Sequence, residues 1–398
     1  MPKRFLLWLF FLCVTSAFSQ GTWTQKASYP GYADMGCPGF AINDKGYISS
    51  GGGPNNFWEY DPITNAWTIK ASFPDPSNGA LTFTINGKGY IGGIFGSSNF
   101  WEYDPLTDSW TQRANFPGTQ RQCAVGFSIG TKGYITTGND YPANNVMNDM
   151  WEWDQTTNTW TQKANFPGDA RTAAVGFSIG NKGYAGTGIG NNYYQDFWEY
   201  DPVTDTWTQK ANFGGGSRSE ATGFSIGSFG YIGLGTSDVG FGDSSDVWKF
   251  DPVNNLWSRA AYFSGNIREF ATGFSIECKG YIGMGFINDD GSTRMNDLWE
   301  YSPDTCQLSG ITGEASPVTA ILEPTLFSTE TNISLSQELK DATLTIYNMN
   351  GQEMKHIAGI SGKNVCIRKE NLAVGMYVVQ LQQNNKTILT KRVVIENQ

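Results

Sequence analysis

Four arginines occupy one repeated position in the chain. Arg121, Arg171, Arg218 and Arg268 each stand five residues before the glycine of a GFSI-type segment, where two earlier copies carry Asp34 and Ser77. A guanidinium is a planar, permanently charged fork that fits a carboxylate. Four at equivalent points are therefore candidates for an anion-binding mouth, unless each pairs locally, for example with Glu220 or Glu269. Those two carboxylates, close to Arg218 and Arg268, are also the candidates for proton transfer. A second group mixes aromatics with Asn and Asp: Tyr141, Asn144 and Asn145; Asn191, Tyr193 and Tyr194; Asp238, Phe241 and Asp243; Phe286, Asp289, Asp290 and Arg294. Such residues suit stacking on sugar rings with hydrogen bonds to hydroxyls. They are equally ordinary in turns.

Much chemistry is excluded. The one histidine, His356, lies near the C-terminus, which leaves the rest of the chain without a Ser-His-Asp triad or a histidine-containing metal site. Calcium is the only ion the sequence raises, through Asn288-Asp-Asp-Gly-Ser292, and that run lacks the spaced ligands of a calcium loop. No metal or other cofactor is expected. A net charge of −10 argues against nucleic acid, which calls for clustered Lys and Arg. Of the six cysteines, Cys278 and Cys306 fall in one repeat and form a candidate pair for an oxidising compartment.

The elements that position these residues form a repeat. Tyr47, Tyr90, Tyr134, Tyr184, Tyr231 and Tyr281 recur every 43 to 50 residues, each followed by Trp58, Trp101, Trp151, Trp198, Trp248 or Trp299. That period belongs to propeller blades. Each copy reads as four strands: a GFSI strand, a tight Gly-containing hairpin, a KGYIG strand, an FWEYD strand, and a DPxT turn into WTQKA. The sixth copy lacks its last tryptophan, and an unmatched TWTQK with Trp23 stands at the start, so the N-terminal strand is expected to close the sixth blade. The tryptophans are expected in the core. From tyrosine to tryptophan the copies span 11, 11, 17, 14, 17 and 18 residues, which makes one face of the ring variable and the natural ligand face. Residues 1–19 read as a signal peptide, with Lys3 and Arg4 before an apolar stretch and Ala17 and Ser19 before the cut. No later run is long enough to span a membrane.

The repeats resemble the kelch family in the glycine pairs Gly51-Gly52 and Gly92-Gly93, the strand tyrosine and the tryptophan that opens the last strand. Elsewhere the pair is reduced to TG or LG. The resemblance runs from Thr22 to about Leu308 and implies an all-β, six-bladed propeller over residues 20–308. Members of that family serve as enzymes, adhesins and adaptors, so fold does not give function. Copper galactose oxidase chemistry needs histidines this region lacks, and the DPxTxxW turns do not match the SxDxGxTW turns of sialidases. The leading expectation is an exported binding protein that recognises a glycan or protein through the variable face. The alternatives are a sialic acid mutarotase, using Glu220 or Glu269 with a neighbouring arginine, and a structural spacer.

After a small-residue linker over 309–320, residues 321–398 alternate as short strands and read as an immunoglobulin-like β-sandwich. This part resembles the type A C-terminal sorting domain of type IX secretion through Asn348, Gly351, Gln352, Leu372, Gly375, Tyr377 and Lys391, although EPTLF from Glu323 replaces the usual PNP opening. The resemblance implies engagement with that machinery and delivery to the surface or exterior of a Gram-negative bacterium.

Overall fold

A computed structural model describes residues 21–32, 36–51, 55–93, 96–140, 142–237, 242–287, 293–304, 320–348, 353–383 and 386–396. The described residues between 21 and 304 build six four-stranded antiparallel sheets arranged as blades around a central channel. The signal-peptide residues, Asp34, Tyr141, Asp238, Phe241, the 288–292 run, Cys306, most of the linker, Gly351 and Gln352 lie outside the described residues. Cys278 is disulfide-bonded.

Each blade begins with a strand whose side chains alternate between buried and half-buried. Val125, Phe127 and Ile129 of Val125–Ile129 are buried, as the period of two requires. These first strands line the channel, and the second, third and fourth follow outward. The second-strand glycine permits the next layer of packing. A Cβ on Gly89, Gly133, Gly183 or Gly230 would lie 2.2–2.3 Å from the ring of Phe40, Phe83, Phe127 or Phe177 in the preceding blade. The glycine is the seat for the neighbour's phenyl ring. Gly183→Ala is therefore expected to cost about 1–3 kcal/mol through overpacking, read as a lowered denaturation midpoint with an unchanged slope.

The tyrosine beside that glycine donates to the third-strand glutamate, as in Tyr47 to Glu59 at 2.7 Å and Tyr184 to Glu199 at 2.6 Å. Blade 5 changes both ends of a related contact together. Phe229 replaces the second-strand lysine and Lys249 replaces the glutamate, and the ammonium lies 3.6 Å from the centre of the Phe229 ring. One cation–π contact thus stands in for the lysine–glutamate ion pairs of blades 2, 3 and 6.

The outer tryptophans join blade to blade. Trp67, Trp110, Trp160, Trp207 and Trp257 donate their indole N–H to the carbonyls of Ala27, Ala71, Ala114, Ala164 and Ala211. The corresponding alanine N–H groups donate to Asn65, Asp108, Asn158, Asp205 and Asn255, turn residues with φ of 48–55°. Asn and Asp tolerate that backbone region better than most residues.

The ring closes as the repeat count requires. Thr22–Lys26 pairs antiparallel with Leu298–Ser302, Thr22 opposite Ser302 and Lys26 opposite Leu298. Trp23 then donates to the carbonyl of Ala261, the same bond the other five make. The first and last strands of the propeller meet in one blade.

Residues from Ala320 onward form a separate all-β unit with strand order Ala320–Glu323, Glu330–Asn348, Gly375–Gln383, Lys386–Ile395, Leu326–Phe327, and with Glu353–Arg368 also paired to Glu330–Asn348. The long strand Glu330–Asn348 breaks register between Ser334 and Leu344 and pairs with three other strands of what is one nearly closed sheet rather than the expected two-sheet sandwich. Its first part pairs with Ala320–Glu323 and its last part with Gly375–Gln383. Leu322, Ile333, Leu344, Ile367, Tyr377, Val379 and Ile395 form the sheet's buried core. Two of the residues that carry the sorting resemblance, Leu372 and Tyr377, belong to this core.

Candidate functional site

The structure places the four repeated arginines inside the wall of the propeller. None is more than 2% exposed. Each guanidinium makes a two-pronged ion pair with an aspartate two residues before the third-strand tryptophan. The pairs are Arg121 with Asp149 at 2.6 and 2.9 Å, Arg171 with Asp196 at 2.5 and 3.0 Å, Arg218 with Asp246 at 2.5 and 3.3 Å, and Arg268 with Asp297. The expected local partners Glu220 and Glu269 do not make these pairs. Each guanidinium also lies 4.8–5.1 Å from the centre of a phenyl ring, Phe116, Phe166, Phe213 or Phe263. The aspartate takes the indole N–H of the adjacent tryptophan as well.

The arginine is thus a keystone for its blade. It also donates to the carbonyl of Thr137, Thr187, Leu234 or Met284, residues held at φ of 56–61°. The sequence carried a signal for the missed aspartates. The two blades without the arginine have Asn56 and Asn99 at the aspartate position, so arginine and aspartate appear and vanish together within one chain. For Asp149, Asp246 and Asp297, burial pushes the carboxyl pKa upward, but the arginine's hydrogen bonds and charge outweigh it and hold the group below its ordinary value.

The open space lies elsewhere, at the channel mouth on the variable face. A cavity of about 220 Å³ is lined by equivalent residues from all six blades. Its rim is a ring of six left-handed residues, Gly36, Gly79, Cys123, Ala173, Glu220 and Phe270, with φ of 49–67°. Successive members are joined by backbone hydrogen bonds of 2.8–3.2 Å, each N–H to the carbonyl of the preceding blade's residue, from Gly79 on Gly36 through Phe270 on Glu220. Four of the six are not glycine, and such backbone costs of order 1 kcal/mol or more each.

The rim is lopsided. Blades 1 to 4 offer Gly36, Gly79, Cys123 and Ala173, whereas blades 5 and 6 offer Glu220 and Phe270. Burial, with the charge of Glu220 adding to it, pushes the Cys123 thiol up to about 12, so it stays protonated and is a poor nucleophile. The blade 5 loop lays Thr236–Ser237 between Arg218–Ser219 and Gly242–Asp243 as a small second-tier sheet. From it the Thr236 hydroxyl donates to buried Glu269 and lies 3.4 Å from Glu220. The Phe270 ring stacks on Phe286 at 6.0 Å and 13°.

Of the expected loop aromatics, Phe286 is therefore brought to the mouth, although it is buried behind Phe270. Tyr193 pairs with Ile189 in the blade 4 loop, and Tyr194 covers the Arg171 guanidinium at 4.0 Å. Arg294 lies over the ring of Tyr32 at 5.9 Å. Among the described residues no group of three or more His, Cys, Asp and Glu side chains could hold a metal ion.

Fold and site together define a six-bladed β-propeller whose wall is tied by buried ion pairs and whose mouth is acidic and aromatic on one side. Residues 327–396 match the secretion system C-terminal sorting domain, so the chain is an exported propeller carrying a type IX sorting tail. No curated protein sequence matches the chain. Among solved structures, that of YjhT is similar with a TM-score of 0.60 at 16% identity, covering 69% of this chain and 95% of that one. At that identity the likeness is one of fold. No described helix is long and apolar enough to cross a membrane.

Proposed function

We propose that the mature protein, beginning after a signal peptide over residues 1–19, is a secreted or surface-attached binding module. Residues 20–308 take a glycan or protein ligand at the variable mouth, and residues 321–398 address the chain to the secretion machinery. One observation carries the reading. The carboxylate and the aromatic ring among the side chains lining the cavity on the variable face, Glu220 and Phe270, stand on blades 5 and 6, which also have long loops on that face. The mutarotase alternative shares the carboxylates Glu220 and Glu269 but needs an arginine for an acidic substrate. Arg218 and Arg268, its candidates, are already committed to Asp246 and Asp297.

The reading is tested by screening the full mature chain against neutral, acidic and amine-bearing glycans and against peptides. Capture is expected. The Phe270→Ala variant, which removes the aromatic wall from the rim, should weaken it about tenfold or more by calorimetry. Absence of capture from every panel would overturn the binding reading in favour of a spacer.

A further inference from the structure

We propose that the end of blade 5 away from the mouth docks an acidic peptide segment of a partner protein, taking one carboxylate with an apolar residue beside it. The six copies of the repeat are each other's controls, and blade 5 departs from the other five at four positions together. The first residue of the second strand is lysine in five blades and Phe229 in blade 5. The middle residue of the third strand is glutamate in five and Lys249 in blade 5. The fourth strand opens with Ala, Ser or Thr in five and with Leu256 in blade 5. Near its end it has Lys or Arg in five and Ala260 in blade 5. In each of the other blades the glutamate accepts the second-strand tyrosine hydroxyl and pairs with at least one Lys or Arg.

Blade 5 inverts this arrangement. Tyr231 still stands opposite the third-strand position, but the residue there is now a cation. Among the described residues Lys249 is the one propeller lysine without an ion pair. The Tyr231 hydroxyl, on a side chain 1% exposed, has no hydrogen-bond partner among them either. The Phe229 ring turns its face to the ammonium and offers it no lone pair. Burial lowers the ammonium pKa, against a smaller opposing pull from Asp251. That aspartate is held by its own turn, where it accepts from Val253 and Asn254. An ammonium and a phenol thus bring four donor hydrogens to a place that has lost its acceptor. A carboxylate only accepts, so one from outside restores what the glutamate supplies in the other blades.

The surroundings favour a peptide over a small acid. Leu256, 60% exposed, stands opposite Asp251 in the ladder, and Val253 at the turn tip is 87% exposed. Lys249, Asp251 and Leu256 share one face of the sheet, since cross-strand partners and residues two apart project the same way. A small acid would leave both aliphatic side chains in water, whereas an apolar residue next to the carboxylate covers them. The site lies at the opposite end of the blade from Glu220 and is independent of the mouth reading.

The test is fluorescence anisotropy of the full mature chain with two dye-labelled libraries of seven-residue peptides. Both have Leu, Ile, Val or Ser around a fixed central residue, glutamate in one and glutamine in the other. The glutamate library is expected to bind about tenfold or more tightly. Lys249→Met should abolish that preference and leave the denaturation midpoint unchanged or raised, since it removes a cation that has no counterion. The fourfold variant Phe229→Lys/Lys249→Glu/Leu256→Thr/Ala260→Lys gives blade 5 the set with which blade 4 folds, and it should lose the preference too. Leu256→Thr, at an exposed position, should weaken the glutamate library several-fold and reports on the site if Lys249→Met fails to fold. Equal binding of the two libraries would overturn the proposal. So would a glutamate preference that survives Lys249→Met or the fourfold variant, or unchanged binding in Leu256→Thr. Acetate or glutarate competing at the peptides' own concentrations would overturn the peptide in favour of a small acid. Silence from the glutamate library would sink the site and leave the mouth to its own screen.

Discussion

Replacing Arg268 by methionine is expected to destabilise the propeller by about 3–5 kcal/mol, because it strands the Asp297 carboxylate, whose side chain is only 13% exposed, without its counterion. The arginine side chain is fully buried, so water cannot take its place. The double variant Arg268→Met/Asp297→Leu should recover most of that loss, since removing both charges removes the desolvation cost of each. Equilibrium denaturation of the three proteins measures this. A single variant as stable as the parent would show that the ion pair contributes little.

The same pair sets a pH dependence. Asp297 has a folded pKa below its unfolded value, so its contribution is present above the unfolded carboxyl range, about pH 3.9, and is lost as pH falls through the folded value. Asp149 and Asp246 act in the same direction. Stability should therefore drop steeply below about pH 4 in the parent and less steeply in the double variant. Charge reversal at Arg171 and Arg218 would set glutamates against Asp196 and Asp246. Such a variant should unfold, and its failure to bind a ligand would say nothing about the mouth.

Deleting Thr22–Lys26 is expected to have the larger effect. Trp23 packs edge-on against Phe263 at 5.0 Å and tilted against Tyr301 at 4.9 Å, and its indole bonds blade 5. Without this strand, Leu298–Ser302 becomes a free edge on an incomplete blade, a template for pairing with other chains. The deletion should elute as oligomers and lose the single cooperative melting transition. A peptide of residues 20–30 added in trans should restore the monomer. A monomeric deletion variant with an unchanged midpoint would refute the closure role assigned to this strand.

The ring itself was legible because its cues are local and repeated. The KGY glycine and the third-strand tryptophan recur six times and the Asx turn five times with small changes, so the same contacts between blades recur with them. Closure followed from counting tryptophans, since one too few at the end matched one too many at the start. The role of the arginines was harder to read because their partners are distant in sequence. Arg268 and Asp297 lie 29 residues apart across the longest of the loops. Only the joint appearance of arginine and aspartate blade by blade points to the pairing. The acidic corner of the mouth was legible as residues but not as an arrangement. Glu220 and Glu269 stood out beside arginines they do not pair with, and Thr236, which links them, looks like any loop threonine.

The seam in blade 6 also decides how the ring responds to force. Thr22 lies opposite Ser302, so the free ends of the two closing strands sit at the same end of an antiparallel pair. A pull applied at residues 22 and 302 would peel these strands apart one hydrogen-bonded pair at a time rather than shear them all together, and peeling is the weak direction. A load entering through a ligand at the mouth takes another route. It reaches the rim, where backbone hydrogen bonds run from blade to blade, and spreads across the first strands before it meets that seam.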